Sequence, residues 1–342
     1  MGNFQTHTSH ADEKALNLFA EMMIDKIQSM QSDWHKPWFS AGGCQWPKNL
    51  NGRPYNGMNA LMLLMYCEKE GYSIPRFCTF DCVQRLNKDN KKDEPRVMIK
   101  KGEHSFPVML TTFTCVHKET RVKISYSDYK SLNDDEKQDY NVFPKLQVFH
   151  VFNIDQTNME ETRPELYGKI KSEYVHTETR TDMFTFEPVD YMIEGNKWIC
   201  PIEPTAGDSA YFSISKNKVV IPLKEQFKDG ESFYSNLFHE MAHSTGHETQ
   251  LNRIKASKSG SEEYAREELV AELTAALVSV SHGITKNIKE DSAAYLKSWL
   301  NSLKEDPTFI KTVLLDVKKA ASMLNKSIEE CAAIVENSIV AA

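Results

Sequence analysis

His239-Glu240-Met241-Ala242-His243 sets two imidazoles four residues apart. On an α-helix that spacing puts both on one face, within reach of a single cation. Glu240, one step round, is placed to touch a water bound to that cation and not the cation itself. A zinc ion with three protein ligands and one open corner brings its water to a pKa of roughly 7, and a neighbouring glutamate then takes the proton. The chemistry these residues could carry is zinc-dependent hydrolysis, with a peptide bond as the expected target.

Such a site needs a third protein ligand. One extended form of the motif places a histidine six residues beyond the second, but Thr249 stands there, and His247, directly after Gly246, is out of register. The run Glu262-Glu263-Tyr264-Ala265-Arg266-Glu267-Glu268-Leu269-Val270-Ala271-Glu272-Leu273 is the better source. Ala265, Leu269, Glu272 and Ala276 keep roughly one helical face, with Glu268 beside it. We assign Glu268 to the metal and Glu272 to an imidazole N–H behind it. The spacing alone leaves the reverse assignment open. A solvated acidic face is the alternative reading of this stretch, Glu267 above all.

The elements that must position these residues are legible nearby. Lys218-Val219-Val220-Ile221-Pro222 is β-branched, short and ended by proline, and predicts a strand. We read it as a sheet edge along which an extended substrate could pair. Glu231 to Phe238 has an acidic start and apolar residues at helical spacing, leading a helix into His239. Gly246 is expected to end it.

Further upstream, residues 13 to 31 predict an amphipathic helix, Asn59 to Lys69 a second and Thr79 to Leu86 a shorter third. Asn51-Gly52-Arg53-Pro54-Tyr55 is a turn signal. Arg96–Ile99, Phe106–Thr114 and Lys145–Asn153 read as strands, with Lys100-Lys101-Gly102-Glu103 as a turn. Residues 118 to 141 are charged and poor in apolar side chains, and read as an insertion or long loop. The tail from Asp291 carries Tyr295, Trp299, Leu303, Ile310, Val313 and Val317 at helical spacing.

At 342 residues one core is too few, and two domains are expected. No apolar run approaches the ~20 residues that span a bilayer, and no signal peptide precedes Met1-Gly2-Asn3-Phe4-Gln5. Seven cysteines without a repeating spacing predict reduced thiols. The expected address is cytoplasmic, with no membrane partner.

The net charge of −7 argues against nucleic acid as a partner of the whole surface, but the charge is uneven. From Trp34 to His104 there are 12 Lys and Arg against 7 Asp and Glu, a local balance of +5. Trp34, Trp38, Trp46, Tyr55 and Tyr66 lie in the same stretch. Cations for phosphates interleaved with rings for unstacked bases are what a single-strand binder needs. An aromatic core with a solvated basic rim gives the same pattern. Nothing suggests a duplex reader.

These features together resemble the ArdC antirestriction family of conjugative plasmids, related to the DNA-primase-like TraC proteins. The residues that carry the resemblance are Trp34-His35-Lys36-Pro37-Trp38, Asn51-Gly52-Arg53-Pro54-Tyr55-Asn56-Gly57-Met58-Asn59, Lys101-Gly102-Glu103 and Val151-Phe152-Asn153-Ile154-Asp155-Gln156-Thr157. Further on they are His239 to His247, Tyr264 to Glu272 and Tyr295-Leu296-Lys297-Ser298-Trp299-Leu300. The resemblance implies an α+β protein. A mixed α/β domain that binds single-stranded DNA (1–157) would be joined by a linker (158–182) to a mainly helical zincin-like metallopeptidase domain with a small sheet (183–342). It also implies protection of incoming plasmid DNA, with a protein of the host restriction system as a candidate substrate.

The leading expectation is Zn²⁺ on His239, His243 and Glu268, with Glu240 as general base. His247 or Tyr264 would donate to the oxyanion. Trp34, Trp38, Arg53, Tyr55, Asn59, Lys100 and Lys101 would contact DNA. Two other readings use the same residues. One is a protein that coats single-stranded DNA around a structural or vestigial zinc site. The other is a stand-alone metalloprotease whose N-terminal domain recognises protein.

Overall fold

The computed structural model describes residues 10–31, 38, 45–55, 57–174, 182–254, 261–284, 295–306 and 309–340. The first helix, α1 (His10–Gln31), buries Leu16, Phe19, Met23, Ile27 and Met30, the stripe its periodicity predicts. A two-residue strand, β1 (Lys48–Asn49), precedes α2 (Gly57–Glu70). Gly57, at φ +55°, lies so close to the stem of Lys318 that a Cβ there would meet its Cγ at 2.8 Å. β2 (Arg76–Thr79) runs into α3 (Phe80–Leu86), with Thr79 as N-cap.

β3 (Phe106–His117), β4 (Lys123–Ile124), α4 (Tyr126–Ser131), α5 (Asp134–Lys137) and β5 (Tyr140–Asn153) follow. The sheet order is β1-β2-β5-β3-β4, parallel between β1 and β2 and antiparallel elsewhere. β3 and β5 pair without a break from Phe106 opposite Val151 to His117 opposite Tyr140, a long two-stranded ribbon.

Three expectations change here. Residues 118–141 are not an irregular loop. Ser125 and Asn133 cap two short helices, and Tyr126 stacks on Phe113 with ring centroids 4.2 Å apart. Arg96–Ile99 is not a strand. Val97 N–H donates to Asn87 Oδ1 at 2.8 Å and Met98 N–H to Asn158 Oδ1 at 2.7 Å. Backbone pairing among the described residues is limited to an isolated antiparallel bridge of Ile99 with Thr157 and the Met98 carbonyl accepting from the Asn158 N–H. Within the 158–182 stretch, α6 (Met159–Thr162) and α7 (Pro164–Ser172) form, and Tyr167 and Ile170 join Ile74, Val83, Val97 and Ile154 in a second core.

The C-terminal half contains α8 (Glu187–Glu194), β6 (Ile202–Thr205), β7 (Tyr211–Ser213), β8 (Lys218–Pro222), α9 (Gly230–Ser244), α10 (Glu262–Ser281), α11 (Leu296–Glu305) and α12 (Phe309–Val340). β8 is not an edge strand. The order is β6-β8-β7, so β8 is central, with β6 parallel and β7 antiparallel to it. Val219 to Ile221 are consequently buried in a run and do not alternate.

One continuous apolar core joins the two halves, from α1 and α2 to α9–α12. Trp38 and Trp299 meet within it, centroids 6.4 Å apart, and the indole N–H of Trp299 donates to the carbonyl of Ala265 on α10. Trp299→Ala removes that packing and the indole donor, and is expected to destabilise the fold by about 3–5 kcal/mol. A denaturant midpoint checks it. No helix among the described residues is long and apolar enough to cross a membrane.

Candidate metal centre

α9 begins at Asp229, whose carboxylate accepts from the Ser232 N–H at 2.7 Å, and carries His239, Glu240 and His243 into the interior. α10 begins at Ser261, which accepts from the Tyr264 N–H, and packs across α9. The i, i+4 spacing aims both histidines at α10. The Nε2 atoms of His239 and His243 are 3.1 Å apart. Glu268 closes the triangle, with Oε2 3.4 Å from His239 Nε2 and Oε1 3.6 Å from His243 Nε2.

Those separations fit a small cation. Ligands at about 2.0–2.1 Å in a tetrahedron stand roughly 3.3 Å from one another. Among the described residues, His239, His243 and Glu268 are the group of metal-ligating type that converges in this way. All three are buried or nearly so, as is Glu240 at 3% exposure, so a charge developing here is poorly screened by water.

Behind each imidazole stands a second carboxylate. His239 Nδ1 faces Glu272 Oε1 at 3.3 Å, and His243 Nδ1 faces Glu267 Oε1 at 3.2 Å. This arrangement turns both Nε2 atoms toward the shared point. Glu268 stands nearer the shared point, and Glu272 stands behind the imidazole of His239. Glu267, which had no role at the metal in the sequence reading, is held at the site.

Arg253 holds it there. Its Nε donates to Glu267 Oε2 at 2.7 Å and its Nη2 to Oε1 at 2.8 Å. Sequence reasoning missed both residues. The stripe Tyr264, Glu267, Glu268, Ala271, Glu272 at i, i+3, i+4, i+7 and i+8 held the signal for Glu267. Arg253 lies in a loop and gave none.

Gly246 also has another reason than the one expected. α9 ends at Ser244 and Gly246 has no positive φ. A Cβ there would meet Ile254 Cγ1 at 2.7 Å and Arg253 Nη2 at 3.0 Å, so the glycine makes room for the returning loop.

Burial favours a neutral His243, but Glu268, then Glu267 and Glu240, outweigh it and hold its pKa up at about 9. Burial likewise raises Glu268, yet His243 and His239 bring it down to about 2. Glu267 is lowered against its own burial by Arg253 and His243. The His243 contribution to stability is complete below its ordinary 6.5 and is lost as pH rises through about 9. The Glu268 contribution is complete above its ordinary 4.5 and is lost as pH falls through about 2. Chelator-treated protein should therefore melt at lower temperature as pH rises from 6.5 to 9. The melting shift produced by added metal should grow over the same range, because the ion displaces the His243 proton. Thermal melts with and without metal check both trends.

His247 makes its contacts with Thr249 and with β7. Its Nδ1 is 2.8 Å from Thr249 Oγ1, and its ring meets Phe212 of β7 edge-on. Tyr264 lies closer to the metal-ligating group, its hydroxyl bonded to Glu268. Burial, then Glu268, pushes its pKa up, so the phenol stays protonated.

The expected DNA contacts scatter. Trp34 lies outside the described residues. Trp38 is fully buried against Trp299 and has no ring face to offer a base. Asn59 is also a correction. Its amide nitrogen donates to the Met109 carbonyl at 2.6 Å and its oxygen accepts from the Met109 N–H at 2.9 Å, which closes the edge of β3. Tyr55 is half-buried and edge-on to Phe77. Arg53 and Lys101 are exposed on two separate turns. Lys100 is exposed too, but its ammonium donates to the Asp155 carbonyl at 2.9 Å.

An aromatic row escaped the sequence reading. Beyond Val151, which lies under the helices, one face of β5 shows Phe149, Gln147, Lys145 and Phe143 in turn. Phe149 is 40% and Phe143 53% exposed, with Leu110 across the ribbon at 51%.

Comparison with known proteins gives the class first. Residues 198–313 match a zincin-like metallopeptidase family, and residues 13–152 match the N-terminal domain of the anti-restriction factor ArdC. Two Escherichia coli proteins named DNA primase TraC are 26% and 27% identical over 304 residues, 88% of this chain. The chain spans only 26% and 19% of their lengths. The uncharacterized protein y4eC of Sinorhizobium fredii (strain NBRC 101917 / NGR234) is 25% identical over 309 residues, 89% of each chain.

Two crystal structures of the antirestriction protein ArdC from plasmid R388 share the fold. The metal-free one has a TM-score of 0.63 at 24% identity, covering 92% of this chain and 98% of that one. The Mn(II)-bound one has 0.62 at 23%, covering 91% and 98%. The chain is thus an α+β protein in which an ArdC-type N-terminal domain precedes a zincin-like domain. In that order of domains it resembles the ArdC antirestriction proteins.

Proposed function

We propose that the protein is a metal-dependent peptidase that also binds single-stranded DNA, with Zn²⁺ held by His239, His243 and Glu268. The observation that carries the hydrolase reading is the convergence of those three side chains, with Glu240 buried beside them. When bound, the ion supplies an acidified water and polarises the substrate carbonyl. Glu240 takes the water's proton and delivers it to the leaving amine. Glu272 and Glu267 keep the imidazoles turned inward. The protonated phenol of Tyr264 donates to the oxygen on which charge develops. An extended peptide pairs with β7, the antiparallel edge, where the sequence reading had used β8.

A quenched-fluorescent library of unstructured peptides tests this. Hydrolysis should disappear on dialysis against chelator and return with zinc or manganese. Persistence of the activity in chelator would end the metal reading.

The DNA reading rests on Phe143, Lys145, Gln147 and Phe149. Alternate residues of a strand stand about 6.8 Å apart, so Phe143 lies one step from Lys145 and roughly 20 Å from Phe149, a spacing that suits two separated stacked bases with a phosphate contact between them. Arg53 and Lys101 add exposed charge elsewhere on the N-terminal half. Phe149→Ala and Phe143→Ala are each expected to weaken a fluorescein-labelled oligo-dT by about 1–3 kcal/mol, some five- to hundredfold. Lys145→Gln should reduce the dependence of affinity on salt. Unchanged anisotropy titrations would move the DNA surface off the ribbon.

A further inference from the structure

We propose that Arg253 is a positioning residue for the metal centre: by holding Glu267 with its guanidinium fork it fixes the imidazole of His243, and with it the affinity and geometry of the bound divalent ion. This rests on the metal reading above and goes beyond it, since Arg253 touches neither the metal-ligating atoms nor the expected path of a peptide.

The contacts of Arg253 are fully specified. Nε and Nη2 engage the two oxygens of Glu267 at 2.7 and 2.8 Å. Nη2 also donates to the Ala242 carbonyl at 2.9 Å, and Nη1 to Thr245 Oγ1 at 3.1 Å. Thr245 Oγ1 in turn donates to that same Ala242 carbonyl at 2.6 Å. The side chain is 3% exposed. Burying a guanidinium is costly unless every donor is met, and an ion pair in this position is weak evidence for stability alone. Its geometry gives it a more specific task. A two-pronged contact fixes the plane of a carboxylate, which a single contact does not.

With both oxygens held, Glu267 Oε1 can stand 3.2 Å from His243 Nδ1 in one orientation only. The imidazole is then locked with Nε2 toward Glu268 and His239. His239 needs no such device, because Glu272, which faces it, is fully buried and has no room to turn. His243 and Glu267 sit at the more open end, each 12% exposed, where a carboxylate would otherwise turn. Gly246 belongs to the same construction, since any side chain there would press on Arg253 Nη2.

The experiment measures zinc dissociation constants by competition with a chromophoric chelator, and the visible spectrum after Co²⁺ substitution. The proteins are wild type, Arg253→Lys, Arg253→Met and Glu267→Gln. Arg253→Met and Glu267→Gln are each expected to weaken zinc by about 10–100-fold and to alter the Co²⁺ bands, with Arg253→Lys between them and wild type. Combining Arg253→Met with Glu267→Gln should cost little more than either alone, because both act through one imidazole. If Arg253→Met does not fold, Arg253→Lys and Glu267→Gln decide the matter. Folded variants with wild-type zinc affinity and Co²⁺ spectra, even if they melt earlier, would overturn the proposal and leave a merely structural ion pair. Failure of wild type to bind zinc would overturn the metal reading itself.

Discussion

Glu240→Gln is expected to keep the metal and lose the chemistry, lowering peptide hydrolysis by roughly 10²–10⁴-fold. The substitution preserves shape and removes only the proton acceptor. Glu240 is buried beside His239 and His243 but is not one of the three converging ligands, so the ion should remain. Its charge does help hold the His243 pKa up, so the neutral amide should ease deprotonation of that imidazole and favour metal binding slightly. Single-stranded DNA binding should be unaffected. The variant therefore separates a hydrolase from a protein that only coats DNA. Metal content and steady-state rates on one peptide settle it. A rate within about tenfold of wild type would remove Glu240 from the role of base.

The second large effect separates Glu268 from Glu272. Glu268→Ala takes away one of three protein ligands, and the loss of metal affinity should exceed the ~10–100-fold range of outer contacts. Glu272→Ala should fall inside that range, because Glu272 reaches only the far nitrogen of His239, at 3.3 Å. Glu272→Gln should be milder still, since it keeps an oxygen of similar shape facing that nitrogen. Chelator competition gives all three constants. The reverse ranking would exchange the two roles.

What the sequence could disclose followed the range of the interactions involved. His239 and His243, one helical turn apart, are a local fact, and so is the turn between Glu268 and Glu272. The helix α1 and the strand β8 were legible because their apolar patterns are local too. Position within a sheet is not. β8 was read as an edge because its neighbour β7 is three residues long and carries no pattern of its own. Asn59 looked like a polar residue waiting for a ligand, but its partner Met109 is fifty residues away. Trp38 likewise needed Trp299 to explain it, and Arg253 needed Glu267. The Arg96–Ile99 segment has the composition of a strand but makes only an isolated bridge to Thr157 among the described residues, and two of its N–H groups go to the amides of Asn87 and Asn158. A side chain that replaces a backbone neighbour leaves no periodicity to read.

The most direct measurement is anomalous diffraction at the zinc edge from crystals equilibrated with zinc. One peak is expected within about 2.0–2.2 Å of Nε2 of His239, Nε2 of His243 and a carboxylate oxygen of Glu268, with a non-protein ligand completing the shell. A peak elsewhere on the chain, or no peak at zinc saturation, would contradict the account.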